Sequence, residues 1–211
     1  MTPSSAVRPA VVCSIRTQRM LLRALRPNDA PALCDLIAAN LEFLRRWMAW
    51  AWQEPVGVEA KTKWLRLMRR AMLGGEAAGY GIFIDDGAAL IGSIGTHPRI
   101  GAGAREIGYW IGEQDLRLGY TSEAAAALTK IGFEHMRLRR MEIHTDPDNA
   151  ASIGVARKIG FREQVIVRGC VLLPTSPVRD SVIWSMKRGQ YAGSFAAGVI
   201  EAMDRRGRRV L

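Results

Sequence analysis

A glycine at the start of a predicted helix, Gly119, offers the first chemistry that the sequence suggests. Residues 106–111 before it are rich in aromatic and β-branched side chains and predict a strand, while the Ala-rich and Leu-rich stretch after it predicts a helix from residue 121 to about 136. The first turn of a helix leaves backbone N–H groups unpaired at the positive end of the helix dipole. Because Gly119 has no side chain, a ligand can approach its backbone closely. The junction therefore predicts a site for a phosphate or pyrophosphate, and Glu123, in the first turn, is interpreted as structural.

A second strand and helix follow the first pair. Residues 140–145 predict a strand, the Pro-Asp-Asn turn that ends at Asn149 predicts the N-terminal cap of a helix, and Gly160 predicts its end. Over the whole chain the predicted order is strand, two helices, strands, helix, strand, helix and strands. This order predicts a mixed sheet with helices on both faces.

Hydrophobic spacing and turn residues predict the other elements. They are a strand at 20–23, helices at 30–46 and 58–73, a hairpin of 80–84 with 90–95, a hairpin of 92–96 with 106–111, and strands at 164–172 and 181–186 joined by a loop at 174–177. In the helix at 58–73, an apolar stripe recurs at helical spacing and is interpreted as core. Its members are Trp64, Leu65, Met68 and Met72.

The residues of the two strand–helix segments resemble the GNAT acetyltransferases, and within that family the branch that acetylates the N-termini of ribosomal proteins. The shared features are a Tyr-Trp pair in the strand, a Gly-Tyr-x-x-Glu-Ala helix start, and Asn-x-x-Ser ahead of Lys-x-Gly-Phe. In this sequence they are Tyr109-Trp110, residues 119–124, Asn149 with Ser152, and residues 158–161. The resemblance extends from Arg19 to about Lys187 and covers most of the chain.

The resemblance implies an α/β (α+β mixed) GNAT fold and acetyl-CoA as the donor. No metal is expected, because His97, His135 and His144 show no ligand spacing. The central sheet is expected to be mixed, mostly antiparallel and flanked by helices on both faces, and to splay between residues 106–111 and 140–145 where the donor enters. The pyrophosphate is expected on the backbone N–H groups of residues 117–121, and the pantetheine arm along the strand at 109–111. The expected donor-binding residues are Tyr109, Trp110, Ile111, Arg117, Leu118, Gly119, Tyr120, Thr121, Asn149 and Ser152.

Two positions depart from the family's pattern. Leu116 occupies the first place of the phosphate loop, where the family usually has Gln or Arg, and Arg117 beside it is expected to compensate as a charge partner. Ala156 lies seven residues after Asn149, where many relatives carry a Tyr that protonates the leaving thiolate. The Rim-like branch has Ser at the position of Ser152, so Ser152 is expected to stabilise the thiolate, directly or through water. The alternative is that its hydroxyl bonds back to the first helical turn.

The acceptor is expected to be an α-amine. An α-amine with an ordinary pKa of about 7.7–8.0 is roughly one-tenth neutral at pH 7, whereas a lysine amine at about 10.4 is almost entirely charged. Glu106 is the predicted proton acceptor, through a water, because strand alternation puts it on one face with Gly108 and Trp110. The alternative is a surface carboxylate paired with Arg105 or another charge at the strand end. His97 is the second choice.

The tryptophan cluster of residues 47–52 predicts either a wall of the acceptor pocket or core packing. The leading hypothesis is an N-acetyltransferase that acts on a peptide or protein N-terminal amine of the ribosomal-protein type, by direct attack in a ternary complex. An acetyltransferase for a small amine or an aminoglycoside, and a non-catalytic acyl-CoA-binding module, remain alternatives. The sequence leaves open whether the chain forms a homodimer.

Length and composition indicate how the chain divides into domains and whether it contacts a membrane. The chain has 211 residues and is expected to form a flexible tail at 1–14, one GNAT acetyltransferase domain at 15–188, and an extension at 189–211 with an Ala-rich helix and a basic end. No apolar run approaches the roughly 20 residues that span a bilayer, and residues 1–10 lack a signal-peptide core, which predicts a cytoplasmic protein without membrane contact.

The net charge of +10 and the cysteines exclude several other classes. The charge is attributed to a compositional Arg bias rather than to nucleic-acid binding, because no RNA-binding signature accompanies it. Cys13, Cys34 and Cys170 are odd in number and widely spaced, which predicts neither a disulfide framework nor a metal site.

Overall fold

The computed structural model describes residues 9–172, 174, 178–191 and 200–211. Its strands are β1 (Val12–Arg16), β2 (Leu21–Ala24), β3 (Ala78–Ile84), β4 (Ala89–His97), β5 (Ala104–Ile111), β6 (Arg140–Thr145), β7 (Arg162–Val171), β8 (Arg179–Lys187) and β9 (Glu201–Asp204). Its α-helices are α1 (Ala30–Ala39), α2 (Leu41–Arg45), α3 (Val58–Leu73), α4 (Tyr120–Lys130), α5 (Ala150–Lys158) and α6 (Arg188–Tyr191). A π-helical turn at Ile131–His135 continues α4.

The described strands form one sheet in the order β7-β8-β6-β5-β4-β3-β2-β1-β9. All neighbouring strands are antiparallel except β5 and β6, which are parallel. A parallel pair needs a long crossover, and α4 with its π-helical turn supplies it. The predicted mixed, mostly antiparallel GNAT sheet is confirmed.

The pairing of β5 with β6 ends at Ile107 and Ile143, although β5 runs on to Ile111 against β4. Gly112 N–H donates to the Ile91 carbonyl. Because N–H directions alternate along an antiparallel strand, the N–H groups of Tyr109 and Ile111 point away from β4 and into the gap beside β6. The predicted splay therefore lies where the sequence places it, and it leaves strand backbone available for a ligand.

Helices cover both faces of the sheet. On one face, α4 packs on β4 and β5 and α5 packs on β6. Small buried side chains such as Ala124 and Ala125 let α4 approach the sheet closely. On the other face, α1 and α3 bury Leu33, Ile37 and Leu65 against Phe83.

Two expectations about the chain ends need correction. The predicted tail at 1–14 extends too far, because Val12–Arg16 forms β1 and pairs with β2 and β9. The extension at 189–211 contributes β9 to the edge of the sheet, and its Ala202 and Asp204 are buried. The Ala-rich helix predicted in that extension, and most of the loop at 174–177, lie outside the described residues.

Two expectations about the first helices also need correction. The predicted helix 30–46 divides at Asn40, whose side chain donates to Leu36 O and accepts from the backbone N–H of Glu113 at 2.7 Å. In α3, Leu65 and Met72 are buried, but Trp64 and Met68 are 46% and 43% exposed, so half of the predicted stripe is not core. No helix among the described residues is long and apolar enough to cross a membrane.

Gly92 permits the close contact of β4 with the splayed end of β5. A Cβ at Gly92 would lie 2.4 Å from the Trp110 carbonyl oxygen and 2.8 Å from Ile111 Cα. We expect Gly92→Ala to lower the free energy of unfolding by about 1–3 kcal/mol in chemical denaturation. The matched control is Gly79→Ala in β3, where a Cβ meets nothing within 4 Å, and which should change the value by less than about 0.5 kcal/mol. Equal effects of the two variants would contradict the close-contact argument.

Candidate active site

A cavity of about 540 Å³ opens at the splay between β5 and β6. Gly108 and Tyr109 of β5 border it on one side, and His144 and Thr145 of β6 on the other. The sequence-predicted residues Glu106, Tyr109, Asn149 and Ser152 all line this cavity. It therefore brings together residues that lie up to 46 positions apart in the sequence, from Glu106 to Ser152.

The loop before α4 has the backbone geometry expected of a phosphate site. Gly119 precedes the helix at φ 84°, a left-handed conformation that favours glycine, and Arg117 adopts φ 64°. Cations surround this loop: a Cβ at Gly119 would lie 3.4 Å from Arg19 Nη2 and 3.9 Å from Lys158 Nζ. Arg19 also donates to the Leu118 carbonyl at 3.0 Å. A helix start flanked by these cations is suited to a polyanion.

Hydrogen bonds of Glu123 connect the start of α4 to the turn between β1 and β2. Its carboxylate accepts hydrogen bonds from the Thr17 hydroxyl at 2.6 Å, from Arg19 N at 3.1 Å and from Arg19 Nε at 2.8 Å. Burial alone raises the pKa of Glu123, but the bonds from Thr17 and Arg19 outweigh it and hold the pKa below its ordinary value. These contacts agree with the structural interpretation of Glu123.

Two hydroxyl groups meet across the splay. The Tyr109 hydroxyl lies 2.9 Å from Ser152 Oγ, so Ser152 contacts the strand as well as its own helix. The Asn149 side chain caps α5 by accepting from Ser152 N at 3.0 Å. Burial raises the pKa of Tyr109 to about 12, which keeps its hydroxyl protonated at neutral pH. Ala156, at the place where many relatives carry a Tyr, is fully buried in the core.

Glu106 is a buried carboxylate, only 4% exposed, and not a surface one. Nε and Nη2 of Arg99 donate to its two oxygens, so its partner is Arg99 and not Arg105. Burial alone raises the pKa of Glu106, but the Arg99 hydrogen bonds and the nearby His144 outweigh it and lower the pKa. At His97, the second-choice base, burial and then Arg99 lower the pKa.

Sequence reasoning missed the polar row on β6. His144 Nε2 lies 2.9 Å from Glu142 Oε2, its Nδ1 lies 3.7 Å from Glu106 Oε2, and Arg140 Nε lies 2.9 Å from Glu142 Oε1. Arg140, Glu142 and His144 alternate with the apolar Met141 and Ile143. That alternation on a central strand is the signal that could have revealed a polar face.

Part of the tryptophan cluster at residues 47–52 lines the cavity, and part of it packs in the interior. Trp47 and Met48 line the cavity, whereas Trp50 packs against Trp110 with ring centroids 5.9 Å apart. Trp110 and the loop residues 117–121 are not among the residues that line the cavity, so the phosphate loop lies beyond its border. Among the described residues, no group of three or more His, Cys, Asp or Glu side chains could hold a metal ion.

A family match over most of the chain shows to which family the protein belongs. Residues 19–162 match the family described as the acetyltransferase (GNAT) domain. The chain belongs to the GNAT acetyltransferase family. It is an acetyl-CoA-dependent N-acetyltransferase, and the splayed sheet is the sheet of this family.

Relatives of this GNAT chain include ribosomal-protein acetyltransferases. YdaF of Bacillus subtilis (strain 168), whose name marks it as a candidate ribosomal N-acetyltransferase, is 29% identical over 182 residues, which are 83% of this chain and 95% of YdaF. The structure of RimL, a ribosomal L7/L12 alpha-N-protein acetyltransferase in complex with coenzyme A, is 25% identical with a TM-score of 0.74, and covers 81% of this chain and 95% of its own. RimJ of Mycobacterium smegmatis, at 23% identity, 89% and 92% coverage and a TM-score of 0.76, supports the fold.

Loss of the Glu123 carboxylate tests how the phosphate loop is held. We expect Glu123→Gln to lower the free energy of unfolding at pH 7 by about 1–2 kcal/mol, because charged hydrogen bonds to Thr17 and Arg19 are lost. Since the folded-state pKa is lowered, this contribution is present above the ordinary pKa and disappears as the pH falls through the folded value. Denaturant titrations from pH 7 to pH 3 measure both effects.

The control variant is Glu59→Gln, which replaces a side chain that is 84% exposed and pairs with the exposed Lys63. An exposed pair of this kind contributes little, so the variant should change stability by less than about 0.5 kcal/mol. If the difference in the free energy of unfolding between the wild type and Glu123→Gln stayed constant from pH 7 to pH 3, the ionic role of Glu123 would be contradicted.

Proposed function

We propose that this GNAT chain moves the acetyl group from acetyl-CoA to the N-terminal α-amine of a peptide or protein, of the ribosomal-protein type, by direct attack in a ternary complex. The observation that carries the proposal is that one cavity joins the Tyr109–Ser152 hydroxyl pair to the buried carboxylate Glu106. The names of RimL and YdaF add support for the acceptor class.

In this proposal the donor spans the splay. Its pyrophosphate binds the backbone N–H groups of residues 117–121, where Arg19 and Lys158 add positive charge. Its pantetheine arm pairs with Tyr109 and Ile111, whose N–H groups point into the gap, as an added strand would. Leu116 supplies no polar contact to the phosphates, and the charges around Gly119 offset that loss.

Asn149 completes the donor site on the α5 side. Its carbonyl oxygen is used to cap α5, so its amide N–H₂ group is the part that donates to the pantetheine arm. A backbone N–H of β5 in the gap polarises the acetyl carbonyl as the oxyanion forms. The proposed donor-binding residues are those predicted from the sequence except Trp110, whose ring packs against Trp50 outside the cavity, with Arg19 and Lys158 added.

Ser152 is the proposed partner of the leaving thiolate. The amine nitrogen forms a bond to the carbonyl carbon, the C–S bond breaks with its electron pair on sulfur, and the Ser152 hydroxyl donates to that sulfur. Tyr109, protonated because its pKa is raised to about 12, donates to Ser152 Oγ and orients it. A thiol with an ordinary pKa near 8.5 is a tolerable leaving group, so modest assistance is sufficient.

Glu106 is the proposed anchor of the acceptor ammonium. Its lowered pKa keeps it ionised, and a buried negative charge attracts a cation. The same lowered pKa makes it a weak proton acceptor, and its predicted role as the base stays a prediction. Arg99 neutralises part of the charge, which favours a monocationic peptide N-terminus over a polycationic aminoglycoside.

A panel of acceptors tests the proposed function. Thiol release from acetyl-CoA is measured with peptides that have free Ala, Ser or Met N-termini, an N-blocked lysine peptide, spermidine and an aminoglycoside. We expect release only with the free N-termini, because their amines are partly neutral at pH 7. Release with the drug or the polyamine alone would overturn the acceptor class, while leaving the donor chemistry in place.

The Tyr109–Ser152 pair is tested by single substitutions. We expect Ser152→Ala to lower kcat about 10- to 100-fold and Tyr109→Phe about 3- to 10-fold, with little change in the dissociation constant for acetyl-CoA, because the pair acts when the thiolate leaves. The control is Ser93→Ala in β4, whose hydroxyl bonds to Tyr80 O away from the cavity and whose loss should leave kcat within about twofold. A full-rate Ser152→Ala enzyme would contradict the role.

A further inference from the structure

One face of the sheet carries a row of charged side chains that the donor site does not use. Glu106 on β5 pairs in register with Glu142 on β6, and both carboxylates are buried, at 4% and 8% exposure. Carboxylates are seldom buried unless they are paired. Arg99 pairs with Glu106, and Arg140 pairs with Glu142. The row is therefore a built network and not a chance cluster.

The imidazole of His144 lies between the two carboxylates. Its Nε2 is 2.9 Å from Glu142 Oε2, a hydrogen-bond distance, while its Nδ1 is 3.7 Å from Glu106 Oε2, which is too long for one. An ionised carboxylate only accepts hydrogen bonds, so Nε2 carries the proton. In the neutral ring the lone pair is therefore on Nδ1, on the side of Glu106.

The imidazole of His144 borders the cavity. Glu106 and His144 both line the cavity, and the His144 side chain is 27% exposed. Gly108, the next residue of β5 on this face, also lines it, and a Cβ there would lie 3.3 Å from His97 Nε2, so the His97 ring borders the same space. The cavity, of about 540 Å³, is large enough for an amine beside Glu106 and His144.

Each of the two carboxylates beside the His144 ring is paired with an arginine. The titratable and charged groups that face it are Glu106 of β5, Arg99 of the β4–β5 loop, His97 of β4, Arg140 and Glu142 of β6, and Cys170 of β7. Glu106 is expected to stay ionised through neutral pH, because the Arg99 hydrogen bonds and the nearby His144 outweigh burial and lower its pKa. Imidazole is the side chain whose ordinary titration range, about pH 5–8, coincides with that of enzyme activity.

We propose that His144 Nδ1 takes the proton that the acceptor ammonium loses, and that Glu142 holds the ring in the required tautomer and stabilises the imidazolium. The inference deepens the proposed function and rests on it for the presence of an amine in this cavity. The arrangement follows the carboxylate–histidine logic of acid–base catalysis. Glu106 binds the ammonium, and His144 receives its proton.

The protons balance over one turnover. The ammonium N–H bond breaks, its electron pair stays on nitrogen, and the proton moves to Nδ1 of His144. The nitrogen then attacks the acetyl carbon and the C–S bond breaks. The second proton of the nitrogen replaces the one that Ser152 gives to sulfur, so that the products are an amide and a free thiol. The proton on His144 leaves to solvent and restores the neutral ring.

The test compares His144→Gln with the wild type in kcat/KM between pH 6 and pH 9, using an amine that the wild type acetylates. At pH 7 we expect a loss of about 10- to 100-fold. At a pH one unit above the ordinary pKa of that amine, about pH 9 for an α-amine, most of it is already neutral and the loss should shrink to less than about threefold. A merely structural role would give the same ratio of wild-type to His144→Gln kcat/KM at both pH values.

Two further variants sharpen the test. Glu142→Gln keeps an acceptor for Nε2–H but removes the charge that stabilises the imidazolium, so kcat/KM at pH 7 should fall by about 3- to 10-fold. His135→Gln is the control, because that imidazole contacts the Ala10 carbonyl outside the cavity, and it should keep the wild-type profile. Melting temperatures and acetyl-CoA binding check that each variant is folded.

The outcomes separate the two proposals. Retention of more than half of the wild-type rate by His144→Gln at pH 7, or a loss that is equal at both pH values, overturns the role of His144. If the wild type acetylates only another kind of amine, the acceptor class fails, and the role of His144 is then decided by the loss at pH 7 with that amine. If the wild type turns over no amine, both proposals are overturned.

Discussion

The parting of β5 from β6 is the constraint on which the site depends. The two strands share parallel pairing only as far as Ile107 and Ile143. Beyond that point β4 still holds β5, and β8 still holds β6, so the gap opens between two supported strands. Unpaired strand backbone in a buried groove is costly unless a partner satisfies it, and the extended arm of a coenzyme can do so. The Tyr109–Ser152 contact ties the gap to α5 without closing it.

Arginine has a second role in this basic chain, which is to neutralise acids that are withdrawn from solvent. The half-buried carboxylate of Asp29 accepts from Nη1 and Nη2 of Arg23, and the buried carboxylate of Glu106 accepts from Nε and Nη2 of Arg99. Arg140 Nε lies 2.9 Å from Oε1 of the buried Glu142. The planar guanidinium group suits this bidentate pairing. The Arg bias that composition alone attributes to the surface therefore also sustains two carboxylates beside the cavity. Such pairs set the charge that an incoming amine meets.

The sequence predicted local features well and long-range partners poorly. The bounds of α3 and β6 follow from hydrophobic spacing, and the splay and phosphate loop follow from motif residues. Asn40 divides a predicted helix because its partner is the Glu113 N–H, 73 positions away. His144 escaped notice because its meaning depends on Glu106, which only the register of two strands brings near. The β9 strand was missed because its partner, β1, lies at the other end of the chain. Spacing within a segment cannot report such contacts.

The proposed position of acetyl-CoA is the splay, where it pairs with β5 and is anchored at the start of α4. Amide hydrogen exchange with and without acetyl-CoA tests it most directly. We predict slower exchange at Tyr109 and Ile111, whose N–H groups point into the gap, and over residues 117–121. The N–H of Gly112, already bonded to Ile91, should change little, as should β9. Protection elsewhere in the fold, with exchange at Tyr109, Ile111 and 117–121 unchanged at saturating acetyl-CoA, would contradict the account.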